Sequence, residues 1–415
     1  MATTFRRNSA APPVPRTKIG VFATTVAFLF FYMIAFPKGG IKAGDVPLTI
    51  GYAFTPVLAL LVASSARTLA IPIDRLLAAI PCLLLTLWSF IIVRINGYQG
   101  TGALISYFVT IAYLPIFGLI TFSAPLFNNN QRLIERTFVW AFRFIVLYGI
   151  FLFIFRQTTG HWIEIPYVTV NAGDVGQLDD KYIDRGGIFK LISTYNNGNI
   201  FGLCTIMMAP LYLTFENKKI LKIAMYGALF LTLSRTIWIG MTILFVVRSL
   251  TKGVRPLSLL YMIVGVLFGM IILYFLLDAV GLNLAFLTDR NLGGRVNQFS
   301  VLQDIRIIPA IPFKGLPEIV YLGMLDSFGV PGLLLFVAFL GAPPLLLWLE
   351  GALFLGVTPA SACMQGMVLY MIMACADAAF GLIPVMMIFW MIAGMGFWYA
   401  AQQAKLQGSL RAAAG

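Results

Sequence analysis

Long apolar runs alternate with short polar connections along nearly all of the 415-residue chain. Runs of about eighteen or more apolar residues have the length of a helix that crosses lipid. They are expected to be helical, because lipid offers no partner for an unpaired backbone amide. The pattern predicts twelve spans, at about 19–36, 48–65, 76–95, 103–123, 138–155, 193–215, 220–234, 236–250, 257–277, 329–349, 359–376 and 383–401.

Two long polar segments interrupt this pattern, at about 156–192 and 278–327. In the second segment an amphipathic α-helix is predicted over about 295–308, which Pro309 ends. Its apolar residues recur at every third position: Val296, Phe299, Leu302 and Ile305. Such a helix is expected to lie at the membrane surface. Because no internal repeat or linker divides the chain, residues 1–415 are interpreted as one membrane domain.

The distribution of Lys and Arg predicts how these spans are oriented. Outside the two long segments, the basic residues are concentrated on one side of the predicted bundle. Basic residues near span ends mark the cytoplasmic side of a membrane, while long loops count little. We therefore expect both termini in the cytoplasm and the two long segments in the periplasm or outside the cell.

Composition supports a membrane protein and narrows its partners. The chain is 60% hydrophobic and 11% charged, whereas a soluble domain is about 25% charged. In a soluble protein a net charge of +13 would suggest nucleic acid. Here many cations are interpreted as cytoplasmic anchors, so no nucleic-acid partner is expected. All four cysteines lie in apolar runs, which predicts neither a disulfide framework nor a zinc site.

Arg235 is the most unusual single residue, since it stands between two apolar stretches, 224–233 and 237–247. A charge at such a place is costly and marks a functional site by default. The alternative is an anchor whose side chain reaches the membrane interface. Anchors usually flank full-length spans, whereas Arg235 is predicted at the tip of a hairpin of two short ones.

Two further arginines stand beside glycines in the long segments. Arg185 is followed by two glycines and Arg295 is preceded by two. Glycine lets a backbone approach a ligand closely, although an ordinary turn is the alternative at both places. Asn197 opens the sixth span, where it is expected to cap the helix or to help bind an anion. If Arg185, Arg235 and Arg295 converge, they form a clamp for phosphate, which guanidinium groups bind through two hydrogen bonds.

Several other ionisable residues are candidates for acid–base chemistry. Glu318 and Asp326 stand close to the start of the tenth span. A carboxyl at a half-buried edge can have a raised pKa and accept a proton, and the alternative for each is a solvated charge. Asp377 is either a helix-end charge or part of a site wall. His161, the only histidine, is a candidate base or a residue of the interfacial belt, and Arg290 is a further candidate cation.

Four motifs follow one another between residues 185 and 336. In order they are Arg185-Gly186-Gly187-Ile188-Phe189 with Tyr195-Asn196-Asn197-Gly198; Leu231-Thr232-Leu233-Ser234-Arg235-Thr236-Ile237-Trp238; Gly293-Gly294-Arg295 with Pro312-Phe313-Lys314-Gly315; and Tyr321-Leu322-Gly323-Met324-Leu325 with Phe328-Gly329-Val330-Pro331-Gly332-Leu333-Leu334-Leu335-Phe336. In order and predicted topology, this set resembles the O-antigen ligase and polymerase superfamily, the Wzy-type membrane glycosyltransferases of bacteria.

The resemblance implies an all-α polytopic fold, similar to the GT-C glycosyltransferases, in the bacterial inner membrane. It implies polymerisation of oligosaccharide repeat units carried on undecaprenyl diphosphate, for an exopolysaccharide (for example of the xanthan type), a capsule or O-antigen. The donor and the acceptor are both such lipids. The lipid diphosphate leaves, stabilised by Arg185, Arg235 and Arg295 without a metal or other cofactor. A chain-length regulator and an export complex are the implied protein partners.

The chain departs from this family at one position. Many of the ligases have Pro-His-Asn before the fourth motif, with the histidine proposed as the base, and Leu316-Pro317-Glu318-Ile319 stands there in this chain. Glu318 is therefore the candidate base, and the missing histidine favours a polymerase over an O-antigen ligase. The alternatives from other classes are a transporter or flippase of lipid-linked glycans, which would need matching halves that the sequence does not show, and a scaffold for an envelope complex.

Overall fold

Helices account for most of the chain in the computed structural model, as the apolar runs predict. The structure describes residues 20–43, 46–65, 72–122, 127, 130–178, 184–185, 188–255, 257–258, 260–261, 264–265 and 295–414. Most of the ninth predicted span, 257–277, lies outside these residues. The same holds for Arg290 and for the rest of the second long segment before Arg295.

The described residues of the first half of the chain include six helices, which are α1 Val21–Ala35, α2 Ile50–Ser65, α3 Ile73–Asn96, α4 Thr101–Phe108, α5 Leu114–Thr121 and α6 Gln131–Thr159. A π-helical turn, Val109–Tyr113, joins α4 to α5, so that Thr101–Thr121 is one apolar span. Between α1 and α2 the strands β1 Gly40–Ala43 and β2 Val46–Thr49 form an antiparallel hairpin.

After α6 the chain forms a second short hairpin, of β3 Asp184–Arg185 and β4 Ile188–Phe189, and then six further described helices. These are α7 Gly198–Phe215, α8 Lys219–Phe230, α9 Arg235–Thr251, α10 Val320–Leu349, α11 Pro359–Met373 and α12 Ile383–Ala414. The sequence predicts the break between α8 and α9 at residues 233–236, and in the structure it falls two residues earlier, at residues 231–234.

Six described helices are long and apolar enough to cross a membrane, namely Ile73–Asn96, Thr101–Thr121, Gln131–Thr159, Gly198–Phe215, Val320–Leu349 and Ile383–Ser409. The helices α1 and α11 are also apolar but shorter. An all-α, multi-pass membrane protein is therefore the fold class, as predicted. The number of twelve spans and the side on which each terminus lies stay predictions.

The helix α12 lies at the centre of the bundle, since its most apolar window is 100% buried. Close backbone contact with α5 contributes to this packing. A Cβ added at Gly118 would lie 2.4 Å from the carbonyl oxygen of Trp390, and one added at Gly394 would lie 2.3 Å from that of Gly118. Small residues at such contacts let two helices approach closely, which is how helices associate within lipid.

One end of the bundle collects the longer connections, and we call it the loop end. The backbone N–H of Leu191, after β4, donates to the carbonyl of Leu231 in the α8–α9 turn, at 2.9 Å. The N–H of Ala378, between α11 and α12, donates to the carbonyl of Glu318, also at 2.9 Å. The polar segments are thus fixed to the turns between helices at this end.

The helix α10 is interrupted at Gly329, whose φ is 69° and ψ −171°. The carbonyl of Arg306 approaches this break and accepts a hydrogen bond from the N–H of Val330, at 3.1 Å. The predicted tenth span begins at the same residue, because the apolar run starts there. A short helical stretch, 320–328, therefore precedes the part of α10 that matches the predicted span.

The predicted amphipathic α-helix over 295–308 is wrong in type and length. The structure has a 3-10 helix, Arg295–Gln303, whose end comes before Pro309. Apolar residues that recur at every third position form a straight stripe in a 3-10 helix, with three residues per turn, but spiral around an α-helix. The stripe is formed by Val296, Phe299 and Leu302, with Ile305 following, and all four side chains are exposed.

Substitution of Gly329 tests the break in α10. A Cβ at this position would lie 2.0 Å from the carbonyl oxygen of Ile307, and its positive φ is strained for other residues. We expect Gly329→Ala to destabilise the protein by about 1–3 kcal/mol, measured as a lower Tm in detergent. Gly341→Ala is the control on the same helix, because the nearest atom to an added Cβ is 3.8 Å away. An unchanged Tm in Gly329→Ala would contradict the fold at this point.

Candidate functional site

Arg295 lies between two carboxylates at the loop end. Its Nε donates to Oε2 of Glu318 and its Nη2 donates to Oδ2 of Asp377, the latter at 2.8 Å. Glu318 stands just before α10, and Asp377 stands in the turn between α11 and α12. One guanidinium group therefore connects three segments that are distant in sequence.

Asp377 is the buried member of this group, with 4% of its surface exposed. The side-chain amide of Asn199 donates to the same carboxylate oxygen as Arg295, at 2.7 Å. Burial raises the pKa of Asp377 from 3.8 to about 6, against the opposing effects of Arg295 and the Asn199 hydrogen bond, while the charge of Glu318 raises it further. The carboxyl of Asp377 thus exchanges its proton close to neutral pH.

Asn199 is positioned by the start of α7. The Oδ1 of Asn197 accepts hydrogen bonds from the backbone N–H groups of Asn199 at 2.8 Å and Ile200 at 3.2 Å. This is the N-cap that the sequence predicts, and it satisfies two N–H groups that the helix itself leaves unpaired. The side-chain oxygen of Asn197 is therefore engaged in capping, and the next polar residue of the helix, Asn199, points at the site.

Glu318 is held by its backbone, while its carboxylate is accessible. The side-chain oxygen of Gln298 accepts a hydrogen bond from the N–H of Ile319, at 3.0 Å. The carbonyl of Glu318 accepts one from the N–H of Ala378. By contrast, the Glu318 side chain is 52% exposed, against 5% for that of Asp377. Of the two carboxylates, Glu318 is the one that can leave Arg295 without being buried unpaired.

Arg235 lies at the same end of the bundle, as the first residue of α9. The helices α7 and α9 start side by side, because a Cβ added at Gly198 would lie 3.2 Å from the carbonyl oxygen of Thr232. One added at Gly202 would lie 2.5 Å from the side chain of Ile237. Arg235 therefore begins the helix that packs beside the one carrying Asn199, at the loop end that it shares with Arg295.

The structure describes Arg185 through its backbone alone, in the hairpin of β3 and β4. That hairpin is fixed to the end of α6, since the guanidinium group of Arg156 lies 4.3 Å from the ring centroid of Phe189. The convergence of the Arg185 side chain with the other two arginines stays a prediction. His161 is exposed just beyond α6, and its backbone N–H donates to the hydroxyl of Thr159, at 3.3 Å.

Asp326 belongs to a different group of residues. It lines a cleft of about 220 Å³ together with Asp304 and Arg306. These last two form an exposed ion pair of their own. The sequence places Glu318 and Asp326 together at the start of a span, whereas in the structure Glu318 binds Arg295 and Asp326 faces the cleft.

A second arginine–carboxylate pair lies at the opposite end of α7, where Glu216 follows the last residue of the helix. The Nε and Nη2 of Arg143 donate to the two oxygens of Glu216, at 2.7 and 3.0 Å. Burial raises the pKa of Glu216, but the hydrogen bonds from Arg143, from the Lys218 N–H and from Tyr212 outweigh it and lower the pKa to about 2. Glu216 stays ionised, whereas Asp377 titrates near neutral pH.

No family model, no curated protein and no solved structure matches this chain. Among the described residues, no three His, Cys, Asp or Glu side chains are grouped as they would be around a metal ion.

Sequence reasoning found Arg295 and Glu318 but missed Asn199 and undervalued Asp377. The available signal was that Asp377 is a lone carboxylate between two apolar runs, where an unpaired charge is costly. Its partner lies 82 positions away in the chain. A contact of that range follows from the packing of helices and not from any local pattern.

The stability of the protein is expected to depend on the ionisation of Asp377. Its folded-state pKa of about 6 lies above the ordinary 3.8, so the folded protein binds this proton more tightly than the unfolded chain. The stabilisation of the folded protein by this proton is complete below the ordinary pKa of the carboxyl, and it is lost as pH rises through the folded-state pKa. We expect the Tm of the native protein, relative to that of Asp377→Asn, to fall between pH 4 and about pH 7.

Asp304→Asn is the matched control for this comparison. The hydrogen bond from Arg306 lowers the pKa of Asp304. The Tm of the native protein relative to that of Asp304→Asn is therefore expected to rise slightly with pH or, because the ion pair is exposed, not to change. A Tm difference for Asp377→Asn that rises with pH would show that the carboxylate is held in its charged form.

Proposed function

We propose that the protein is a membrane glycosyltransferase that polymerises oligosaccharide repeat units carried on undecaprenyl diphosphate. The observation that carries the proposal is the group of Arg295, Glu318 and Asp377 at the end of an apolar helix bundle. It combines a cation for a leaving diphosphate with carboxylates for proton transfer, at the level where a lipid headgroup lies. The resemblance of the four motifs to the polymerase superfamily supplies the substrate class.

In this reaction a hydroxyl oxygen of the acceptor sugar attacks the anomeric carbon of the donor. The bond between that carbon and the diphosphate oxygen breaks, and the electron pair leaves with the lipid diphosphate. The hydroxyl proton passes to a carboxylate of the protein. The developing negative charge is stabilised by guanidinium groups, and one well-placed donor of this kind contributes about 3–4 kcal/mol to lowering the barrier.

Arg295 is already paired with two carboxylates, so a diphosphate has to replace one of them. The half-exposed Glu318 is the partner that exchanges. Asp377 stays in place because it is buried and also bound by Asn199. Once released, the Glu318 carboxylate loses a positive neighbour and gains a negative one, which makes it a better acceptor for the hydroxyl proton. Binding of the donor thus prepares the group that accepts the proton.

Arg235 is assigned to the same diphosphate. It is the first residue of α9, where the unpaired N–H groups and the dipole of the helix favour an anion. Arg185 is assigned by the resemblance alone, and so is a chain-length regulator as partner. The loop end is proposed to face the periplasm of a bacterial inner membrane, with both termini in the cytoplasm.

Polymerisation by the purified protein tests the proposal directly. Reconstituted with an undecaprenyl-diphosphate-linked oligosaccharide, the native protein is expected to give products of two and more repeat units. Arg295→Gln is expected to lower the rate by about 100-fold or more, the usual effect of removing one such donor. Arg306→Gln is the matched control, since Arg306 is a paired arginine of the same segment that is exposed. Movement of the lipid across the membrane without a new glycosidic bond would contradict the proposal and favour a flippase.

The variant Glu318→Gln tests which of the two carboxylates, Glu318 or Asp377, is the general base. We expect it to lower the turnover rate by about 100-fold to 10,000-fold, as removal of a general base does, with little change in the KM of the donor. Glu318→Asp is expected to retain part of the activity. Full turnover by Glu318→Gln would transfer the role of base to another group, with Asp377 the nearest carboxyl.

A further inference from the structure

An apolar groove of about 500 Å³ runs between α10 and α11 on the surface of the bundle. Along α11 and the turn after it, Met364, Val368, Met371 and Cys375 line the groove. Their spacing of four, three and four residues places them on one face of the helix. The opposite wall comes from Gly341, Leu345 and Trp348 of α10, again on one face.

The groove is open sideways, towards the region that lipid occupies. The side chains of Leu345, Trp348 and Ile372 form its lips and are 54%, 55% and 41% exposed. Tyr321 closes it at the loop end, where its hydroxyl donates to the carbonyl of Met371, at 3.0 Å. A hydrocarbon chain can therefore enter from the bilayer without crossing water.

The loop end of the groove adjoins the charged site. Tyr321 follows Glu318 by three residues, and Cys375 precedes Asp377 by two. From Met364 to Cys375 the groove extends over about 16 Å, at 1.5 Å per helical residue. The lining continues to Phe354, in the connection between α10 and α11 at the opposite end of the bundle, so the groove runs along most of α11 and reaches the turn that carries Asp377.

We propose that this groove binds the polyisoprenyl tail of the lipid diphosphate, while Arg295 binds its headgroup. The identity of the headgroup rests on the proposed function. A single amphiphile then satisfies both features, because its charge lies at the ion pairs and its chain lies in the groove. The thioethers of Met364 and Met371 suit a methyl-branched chain, since unbranched, flexible side chains adapt to irregular shapes.

The exposed thiol of Cys375 reports on occupancy without any engineered probe. The other three cysteines, Cys82, Cys204 and Cys363, are buried. In nanodiscs of bacterial phospholipid, ordinary acyl chains already compete for the groove. Undecaprenyl diphosphate at ten times its Kd is expected to slow maleimide labelling of Cys375 by roughly tenfold, because the unoccupied fraction falls as 1/(1 + [L]/Kd). Inorganic diphosphate at saturation is expected to leave the labelling rate unchanged.

Gly341→Leu fills the groove from the α10 wall. The nearest atom to an added Cβ is the methyl carbon of Met371, at 3.8 Å, and leucine favours a helix more than glycine does, so folding is preserved. We expect this variant to bind undecaprenyl diphosphate about tenfold more weakly or worse, since lost contact for two methylene groups has this effect. Leu334→Phe, on the lipid-exposed surface of α10 outside the groove, is the matched control and is expected to bind normally.

The proposal for the groove would be overturned if inorganic diphosphate or added phosphatidylglycerol slowed the maleimide labelling of Cys375 as much as undecaprenyl diphosphate does. It would also be overturned if undecaprenyl diphosphate slowed the labelling equally in Gly341→Leu. Its failure is distinguishable from failure of the proposed function. If undecaprenyl diphosphate protects Cys375 from labelling in the native protein but not in Gly341→Leu, the groove is supported. If the native protein nevertheless forms no glycosidic bond, the polymerase function is overturned. Polymerisation at the native rate and KM in Gly341→Leu supports the polymerase and overturns the groove.

Discussion

The ion pairs of Arg295 are the interaction on which the rest of the site depends. Asp377 is almost fully buried, and a buried charge costs several kcal/mol unless it is paired. Arg295 and Asn199 supply that pairing from two other segments. The described part of the second polar segment, from Arg295 onward, is therefore fixed over the ends of α7, α10 and α11, and moving it would leave Asp377 without its cation.

The same pairing explains how a polar segment of this size is positioned on a membrane protein. Its 3-10 helix exposes an apolar stripe, including Phe299 and Leu302, while Gln298 and Arg295 bind the start of α10. We propose that the stripe meets the membrane interface, as amphipathic segments do, while the polar contacts set the segment's position on the bundle. The half-exposed carboxylate of Glu318 lies beside these polar contacts, where the proposal places the lipid headgroup and the sugar.

Much of the fold could be predicted from the sequence because lipid imposes a simple rule. Apolar runs have to be helices, and polar breaks such as residues 231–234 and the Asn197 cap have to be their ends. The 3-10 helix was missed because its three-residue apolar repeat was assigned to an α-helix, although that repeat fits 3-10 geometry better. The pairing of Arg295 with Asp377 joins residues 82 positions apart, and such contacts depend on how helices pack, which periodicity does not specify.

The central claim is that a lipid diphosphate takes the place of Glu318 on Arg295. A structure of the protein with an undecaprenyl-diphosphate-linked oligosaccharide bound tests this most directly. The account predicts diphosphate oxygens within hydrogen-bonding distance of the Arg295 guanidinium group, Asp377 still bound to Asn199, and the Glu318 carboxylate turned towards the sugar. A lipid diphosphate bound away from Arg295, with Glu318 and Asp377 both still paired to that arginine, would contradict the account.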